Sequence, residues 1–124
     1  MRATTASRVR AKRVYETTDA VDGWRILVTQ YWPRGISRES VDEYVRVLGP
    51  SRELLAAYRS GQISWTDYRM RFLDEMDGEA QRAEIHRLAK LARSETITIL
   101  CVCDDPEKCH RWLLRDLIAR FDDD

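Results

Sequence analysis

The sequence predicts a small α/β domain, mainly a parallel sheet flanked by helices. Three observations carry this. Segments 24–32 (WRILVTQYW) and 96–103 (TITILCVC) each hold an apolar run on both parities, as expected of strands covered on both faces in a parallel sheet. The stretch between them reads as helical and is far too long for a hairpin, so the two strands run parallel through a crossover. The length, 124 residues, provides for one core and not two.

The elements follow in order. Residues 1–7 (MRATTAS) are small and polar and are expected to be disordered. The domain then covers 8–121, and the acidic 122–124 form a solvated tail. In 8–16 (RVRAKRVYE), Val9, Ala11 and Tyr15 share one parity and predict a first strand. Segment 17–23 (TTDAVDG) is turn-rich. Residues 24–32 are dense in β-branched and aromatic types, and Pro33 stops that strand. Ser37 is suited to cap a helix over 38–48, closed by Gly49 and Pro50. Ser51 caps a second helix, with Glu53 near its positive end and Gly61 at its C-terminal cap. Ser64 and Asp67 resemble a capping box opening a third helix to Met76, striped by Tyr68, Phe72 and Met76. A fourth spans 79–93, with Ile85, Leu88, Ala89 and Ala92 on one face. After the second strong strand, Asp105 caps a last helix with Pro106 at its first position. Its apolar face is Leu113, Leu114, Leu117, Ile118 and Phe121.

Composition narrows the function classes. The 21 basic and 21 acidic residues sum to a net charge of zero, so no bulk positive charge is available to neutralise a nucleic acid. Of the basic residues, 18 are Arg. With 44% hydrophobic and 34% charged residues the chain is a folding one, not a disordered one. No apolar run reaches the roughly 18 residues of a membrane span, and the basic start lacks the apolar stretch of a secretory signal. The three cysteines, Cys101, Cys103 and Cys109, are odd in number and crowded together, which predicts reduced thiols in a cytoplasm rather than a disulfide framework.

If the strong strands are parallel, their C-terminal ends share one sheet edge, where ligands of open α/β sheets bind. Trp32-Pro33-Arg34-Gly35 follows one strand, and 103–111 (CDDPEKCHR) follows the other. Cys109 and His110 precede Leu113 and Leu114 by four, so both continue the core-facing stripe into the first turn of the last helix. Free N–H groups and the helix dipole there would lower a thiol pKa and hold an anion. Arg34 and Arg111 offer guanidinium forks for carboxylate or phosphate, with Trp32 and Asp104 beside them. Cys109 is then the candidate nucleophile and His110 the candidate acid or base. The competing readings are an inert core thiol, a histidine bonded to a backbone carbonyl, and arginines that cap or pair. Cys101 and Cys103 read as one face of a buried strand.

A metal reading also exists, because C-x-C-x5-C-H groups four soft donors. The spacing departs from zinc knuckles, and Cys101 is expected to lie too deep to reach the strand end, so no metal ligand is assigned. A phosphatase-like loop requires an Arg at a set offset after the Cys; after Cys103 that position is Cys109. The Trp and Tyr residues, Trp32, Tyr31, Tyr44, Tyr58, Trp65 and Trp112 among them, read as core or as an aromatic pocket wall.

The segments KRVYE (12–16), DGWRILV (22–28), WPRG (32–35), PSREL (50–54) and CDDPEKCHRWLL (103–114) together resemble the domain of unknown function 488 family. The first four are similar to its YeaO-like branch, and the last to the Cys-His-Arg motif of the broader family. The resemblance covers about Arg8 to Phe121 and implies a small α/β domain without implying an established activity. Arg34, Cys109, His110 and Arg111 fall on its motif positions. Thr29-Gln30-Tyr31-Trp32 stands where the branch usually carries Asp-Arg-Leu-Trp, which removes a carboxylate and a guanidinium from the expected site. The expected function is binding of a small anion, a nucleotide or a phosphorylated or carboxylated metabolite, with or without Cys/His chemistry. A non-catalytic interaction module and a Cys/His metal protein are the alternatives, and the sequence names no cofactor.

Overall fold

Four parallel strands form one sheet in the order β1-β4-β2-β3: β1 (Val9–Arg13), β2 (Trp24–Leu27), β3 (Glu43–Tyr44) and β4 (Ile97–Cys101). Among the described residues there are four α-helices: α1 (Arg52–Arg59), α2 (Trp65–Glu75) and α3 (Glu79–Leu91) connect β3 to β4, and α4 (His110–Phe121) follows β4. The computed structural model describes residues 8–103, 105 and 108–121. The readings of 1–7 and 122–124, and of Pro106 at a helix start, lie outside those residues. Among the described residues no helix is long and apolar enough to cross a membrane.

The central strand is the one the sequence reads as apolar on both parities, and every residue of β4 is buried. Alternation then assigns the two faces. Ile97 and Ile99 of β4, with Val9 and Ile26 of its neighbours, turn toward the helices. There they meet Leu54, Phe72, Leu88, Ala92, Leu114 and Ile118 in the main core. The other face carries a smaller cluster of Val14, Leu27 and Leu100, covered by Trp32, Ile36, Val41, Tyr44 and Val102.

Two of the caps read from the sequence, Ser51 and Ser64, are in place. Ser51 Oγ accepts the Leu54 N–H at 3.1 Å, and Ser64 Oγ accepts the Asp67 N–H at 3.1 Å. Glu75 on α2 accepts both the N–H and the hydroxyl of Ser51, at 2.9 and 2.5 Å, which ties α1 to α2.

The helix expected over 38–48 is not formed. Two short 3₁₀ turns, Arg38–Ser40 and Arg46–Leu48, flank β3 instead, and Ser37 makes no capping bond. Val41, Tyr44, Val45 and Leu48 mimic helical spacing, but the β2 edge offers free backbone groups that this segment satisfies. Asp42 N–H donates to Arg25 O at 2.9 Å, Val45 N–H donates to Leu27 O at 2.8 Å, and the Asp42 carboxylate accepts the Arg25 N–H at 2.8 Å. β-branched Val41 takes the extended form, with φ −130° and ψ 131°. Across the edge, Arg87 of α3 clamps Glu43 at 2.6 Å.

Strand ends also move inward. Tyr15, expected on β1, lies past it and is exposed, and the Thr29 hydroxyl donates to Tyr31 O at 2.6 Å where the chain leaves the sheet after β2. The Asp105 carboxylate accepts the Lys108 N–H at 3.1 Å, and α4 begins at His110 rather than beside Asp105.

On the face away from the helices, one carboxylate joins three strands. Asp22 is 0% exposed. Its side chain meets Arg25 at 2.5 Å and Lys12 at 3.1 Å, with Arg10 at 3.7 Å, and its backbone carbonyl accepts the Thr98 hydroxyl at 2.7 Å. Burial pushes its pKa up. The Asp19 N–H, Lys12 and Arg25 outweigh that and hold it below the usual carboxylate value. A lowered folded pKa gives stability that is present above the unfolded value and lost as pH falls through the folded one. Asp22→Asn is therefore expected to cost about 3–5 kcal/mol at neutral pH, since it leaves the buried Arg25 guanidinium without its carboxylate. In denaturant titrations the gap from wild type should shrink as pH drops below about 4; a gap independent of pH would refute the assignment.

Candidate functional site

All four strands point their C-terminal ends to one edge, and a cavity of about 220 Å³ opens there. Its walls include Tyr15 from beyond β1, Thr29 to Arg34 from beyond β2, and Arg59 from the end of α1. Val102 and Cys103 from beyond β4, and His110 at the head of α4, complete them. The two segments expected to meet do so.

Trp32 lines this cavity and anchors its loop. Its indole N–H donates to Ile36 O at 2.8 Å, its ring meets Tyr44 edge-on at 5.4 Å, and Arg38 lies 4.9 Å over it. Arg34 also lines the cavity and is exposed; its backbone carbonyl accepts the Tyr15 hydroxyl at 3.1 Å. Asp104 lies outside the described residues.

Behind the cavity the chain gathers its thiols. Cys101 at the end of β4, Cys103 two residues on, Cys109 and His110 place their donor atoms within 4.8 Å of one another. Cys101 Sγ lies 2.7 Å from Cys109 Sγ, so the expectation that Cys101 sits too deep to take part is overturned. The parity of β4 explains it. Cys101 shares the helix-facing side with Ile97 and Ile99, and α4 begins directly over that side.

Cys109 is 1% exposed and His110 3%, as the stripe argument requires. Of the three thiols, Cys103 is the one in the cavity wall, and a bound molecule meets it rather than Cys109. The lowered thiol pKa expected at Cys109 is also reversed. Burial pushes it up, and hydrogen bonding with Cys101 and Cys103 adds to that. The thiol pulled down is Cys101, through hydrogen bonds with Cys103 and Cys109 and from the Arg111 guanidinium. Desolvation at a core position outweighs the helix dipole, and neighbouring thiols concentrate negative charge on the sulfur nearest the arginine.

Arg111 is turned away from the cavity. It is 3% exposed, and its Nη1 donates to Cys101 Sγ at 3.0 Å and Cys103 O at 3.3 Å. His110 Nε2 lies 2.6 Å from Val28 O; a carbonyl accepts, so this nitrogen carries the proton. Burial lowers the His110 pKa and keeps the ring neutral. The ring also meets Phe72 edge-on at 5.4 Å, at the end of a run of aromatic contacts through Tyr68 to Tyr58 and Trp65. Those aromatics are core, while Trp32 and Tyr31 are cavity wall.

Sequence reasoning did not find Arg59, Tyr15 or the outward role of Cys103. For Cys103 the signal was present, since a residue just past the end of a central parallel strand faces the binding edge. For Arg59 none was, because sequence does not tell which way α1 lies.

One backbone contact sets the cavity wall. A Cβ on Gly49 would stand 2.8 Å from Thr29 C and 2.9 Å from Gln30 N. Gly49→Ala is expected to push the 29–30 wall outward and to cost about 1–3 kcal/mol in denaturant unfolding. Wild-type stability in that variant would show that the close approach is not needed.

Known proteins place the chain. Residues 9–121 match the family described as the active DUF488-N3 subclade. The uncharacterised protein YeaO of Escherichia coli (strain K12) is 32% identical over 110 residues, covering 87% of this chain and 94% of that protein. The uncharacterised proteins Rv3073c of Mycobacterium tuberculosis (strain ATCC 25618 / H37Rv) and Mb3100c of Mycobacterium bovis (strain ATCC BAA-935 / AF2122/97) are each 34% identical over 114 residues, covering 90% and 94%. No solved structure is significantly similar. On this match along nearly its whole length, the chain belongs to the DUF488 family, in its active N3 subclade.

Proposed function

We propose that the cavity at the C-terminal edge of the sheet binds a small anionic metabolite, with Arg34 and Arg59 as the anion-binding groups. The observation that carries this is the presence of two exposed arginines among the residues lining one concave site at the ligand-binding edge of a parallel sheet. Arginine presents a planar fork to carboxylate or phosphate. The volume, about 220 Å³, lies below the roughly 300–1,000 Å³ of drug-sized sites, so the ligand is a sugar phosphate, a small organic acid or part of a mononucleotide. Tyr15 and Tyr31 are exposed residues of the wall, and each ring has an arginine over it, Arg13 at 5.4 Å and Arg52 at 5.9 Å. Among the motif arginines this reading keeps Arg34 and assigns Arg111 to the thiols behind the cavity.

The test is a thermal-shift series with nucleoside monophosphates, sugar phosphates and dicarboxylic acids. A ligand at 100 times its Kd stabilises by about 2.7 kcal/mol, which raises Tm by several degrees in a domain of this size. Arg34→Ala and Arg59→Ala should each weaken binding by about tenfold, the scale of one charge-assisted hydrogen bond. A shift that survives both substitutions, or no shift with any of the three classes, refutes the proposal.

A further inference from the structure

We propose that Cys101, Cys103, Cys109 and His110 hold a single zinc ion that locks the end of β4 to the head of α4. Three thiolates and one imidazole form a donor set that zinc takes in closed, tetrahedral sites. All four donor atoms lie within 4.8 Å of one another, a span that suits one ion. The absence of a carboxylate from the set argues against calcium or magnesium.

The histidine is already oriented for this. Its Nε2–H donates to Val28 O at 2.6 Å, which leaves the Nδ1 lone pair on the thiol side, 3.7 Å from Cys109 Sγ. A ligating histidine commonly donates its other N–H to a backbone carbonyl, which fixes tautomer and ring orientation. With Zn–S near 2.3 Å and Zn–N near 2.1 Å, donors of one tetrahedron stand about 3.6 Å apart, so the Cys109–His110 pair fits as it is. The Cys101 and Cys109 sulfurs, at 2.7 Å, must part by about 1 Å.

Charge supplies a second argument. Arg111 is 3% exposed and has no carboxylate partner among the described residues; its Nη1 lies 3.0 Å from Cys101 Sγ. A buried guanidinium needs a compensating negative charge. Three thiolates around a divalent cation carry a net charge of minus one, which the guanidinium balances. Binding releases the thiol protons to solvent. The proposal goes beyond the anion-binding reading and does not depend on it. Cys103 and His110 would serve as ligands at the cavity floor, and Arg34 and Arg59 would remain free to bind.

The full-length protein, purified under reducing conditions without chelator, is expected to carry about one zinc per chain by elemental analysis. Stripped and titrated with cobalt(II), it should develop thiolate-to-metal charge-transfer and tetrahedral ligand-field bands that saturate at one equivalent. Cys109→Ser disturbs the core, so Cys103→Ser, at a half-buried position, is the decisive variant. With its fold verified by circular dichroism, it should shift the cobalt spectrum and weaken zinc binding by tenfold or more. Zinc far below one per chain together with no charge-transfer band in the folded, reduced protein overturns the proposal. So does a cobalt spectrum unchanged by Cys103→Ser. Anion-induced thermal shifts measured on the zinc-stripped protein keep a failure here separate from a failure of the cavity reading.

Discussion

The buried carboxylate of Asp22 is the constraint on which the sheet depends. The side-chain period of a strand is two, so a one-residue slip exchanges its two faces, and whatever each face accepts fixes the register. Here Arg10 of β1 and Arg25 of β2 both pair with Thr98 of β4. That row lies beneath Asp22, which takes Arg10, Arg25 and Lys12 on its carboxylate and Thr98 on its carbonyl. A slip of one residue in β2 would turn Arg25 into the helix-facing core and put Ile26 against the carboxylate. Each misplaced charge would cost several kcal/mol, far more than altered apolar packing could offset. The same arginine donates from Nε to Ser40 O at 2.8 Å, so the node also governs where β3 begins.

Register at one end of the strands decides chemistry at the other. With β4 held against β1 and β2, Cys101 occupies a helix-facing position and Cys103 follows past the last ladder bonds, Val14 N–H to Cys101 O and Val28 N–H to Leu100 O. The carbonyl of Val28 is the next acceptor along that edge, and His110 takes it at 2.6 Å. The imidazole thus completes the sheet edge while its second nitrogen faces the sulfurs. Fold and site are continuous here. The ladder sets the histidine tautomer, and the tautomer sets which atom faces the thiols.

How much of this is legible in the sequence follows from where the information lies. The α/β class and the shared edge are legible because 24–32 and 96–103 each hold apolar runs that only a covered parallel strand accommodates. The buried placement of Cys109 and His110 is legible from their four-residue spacing to Leu113 and Leu114. β3 is not, since two residues carry no period and Val41, Tyr44, Val45 and Leu48 imitate a helix; the unpaired β2 edge decides the outcome. Asp22 looks like one polar residue in a turn, because its partners come from β1, β2 and β4 and exist only after folding. The thiol cluster falls between these cases. The residues are visible and their parity points the right way, but the reach of Cys101 depends on α4 packing over the strand end, which the strand alone does not show.

The zero net charge has the same local explanation. Averaged over the chain, it argues against a polyanion partner and says nothing about any one cavity. At the sheet, cations and carboxylates are paired off: Arg25 with Asp22, and Arg87 with Glu43 and Glu84. At the opposite edge, Arg34 and Arg59 take part in no ion pair among the described residues, and both line the cavity. Arg111 faces sulfur instead of carboxylate. The distribution is therefore uneven in a directed way. Carboxylates pair with Arg25 at the sheet and with Arg87 across its edge, while Arg34 and Arg59 line the cavity exposed and Arg111 meets the thiols. On the proposed reading a small anion would meet Arg34 and Arg59 at modest desolvation cost, because both are already exposed. Arg111, buried against the thiols, does not line the cavity, so of the two motif arginines only Arg34 stands where the proposed anion would sit.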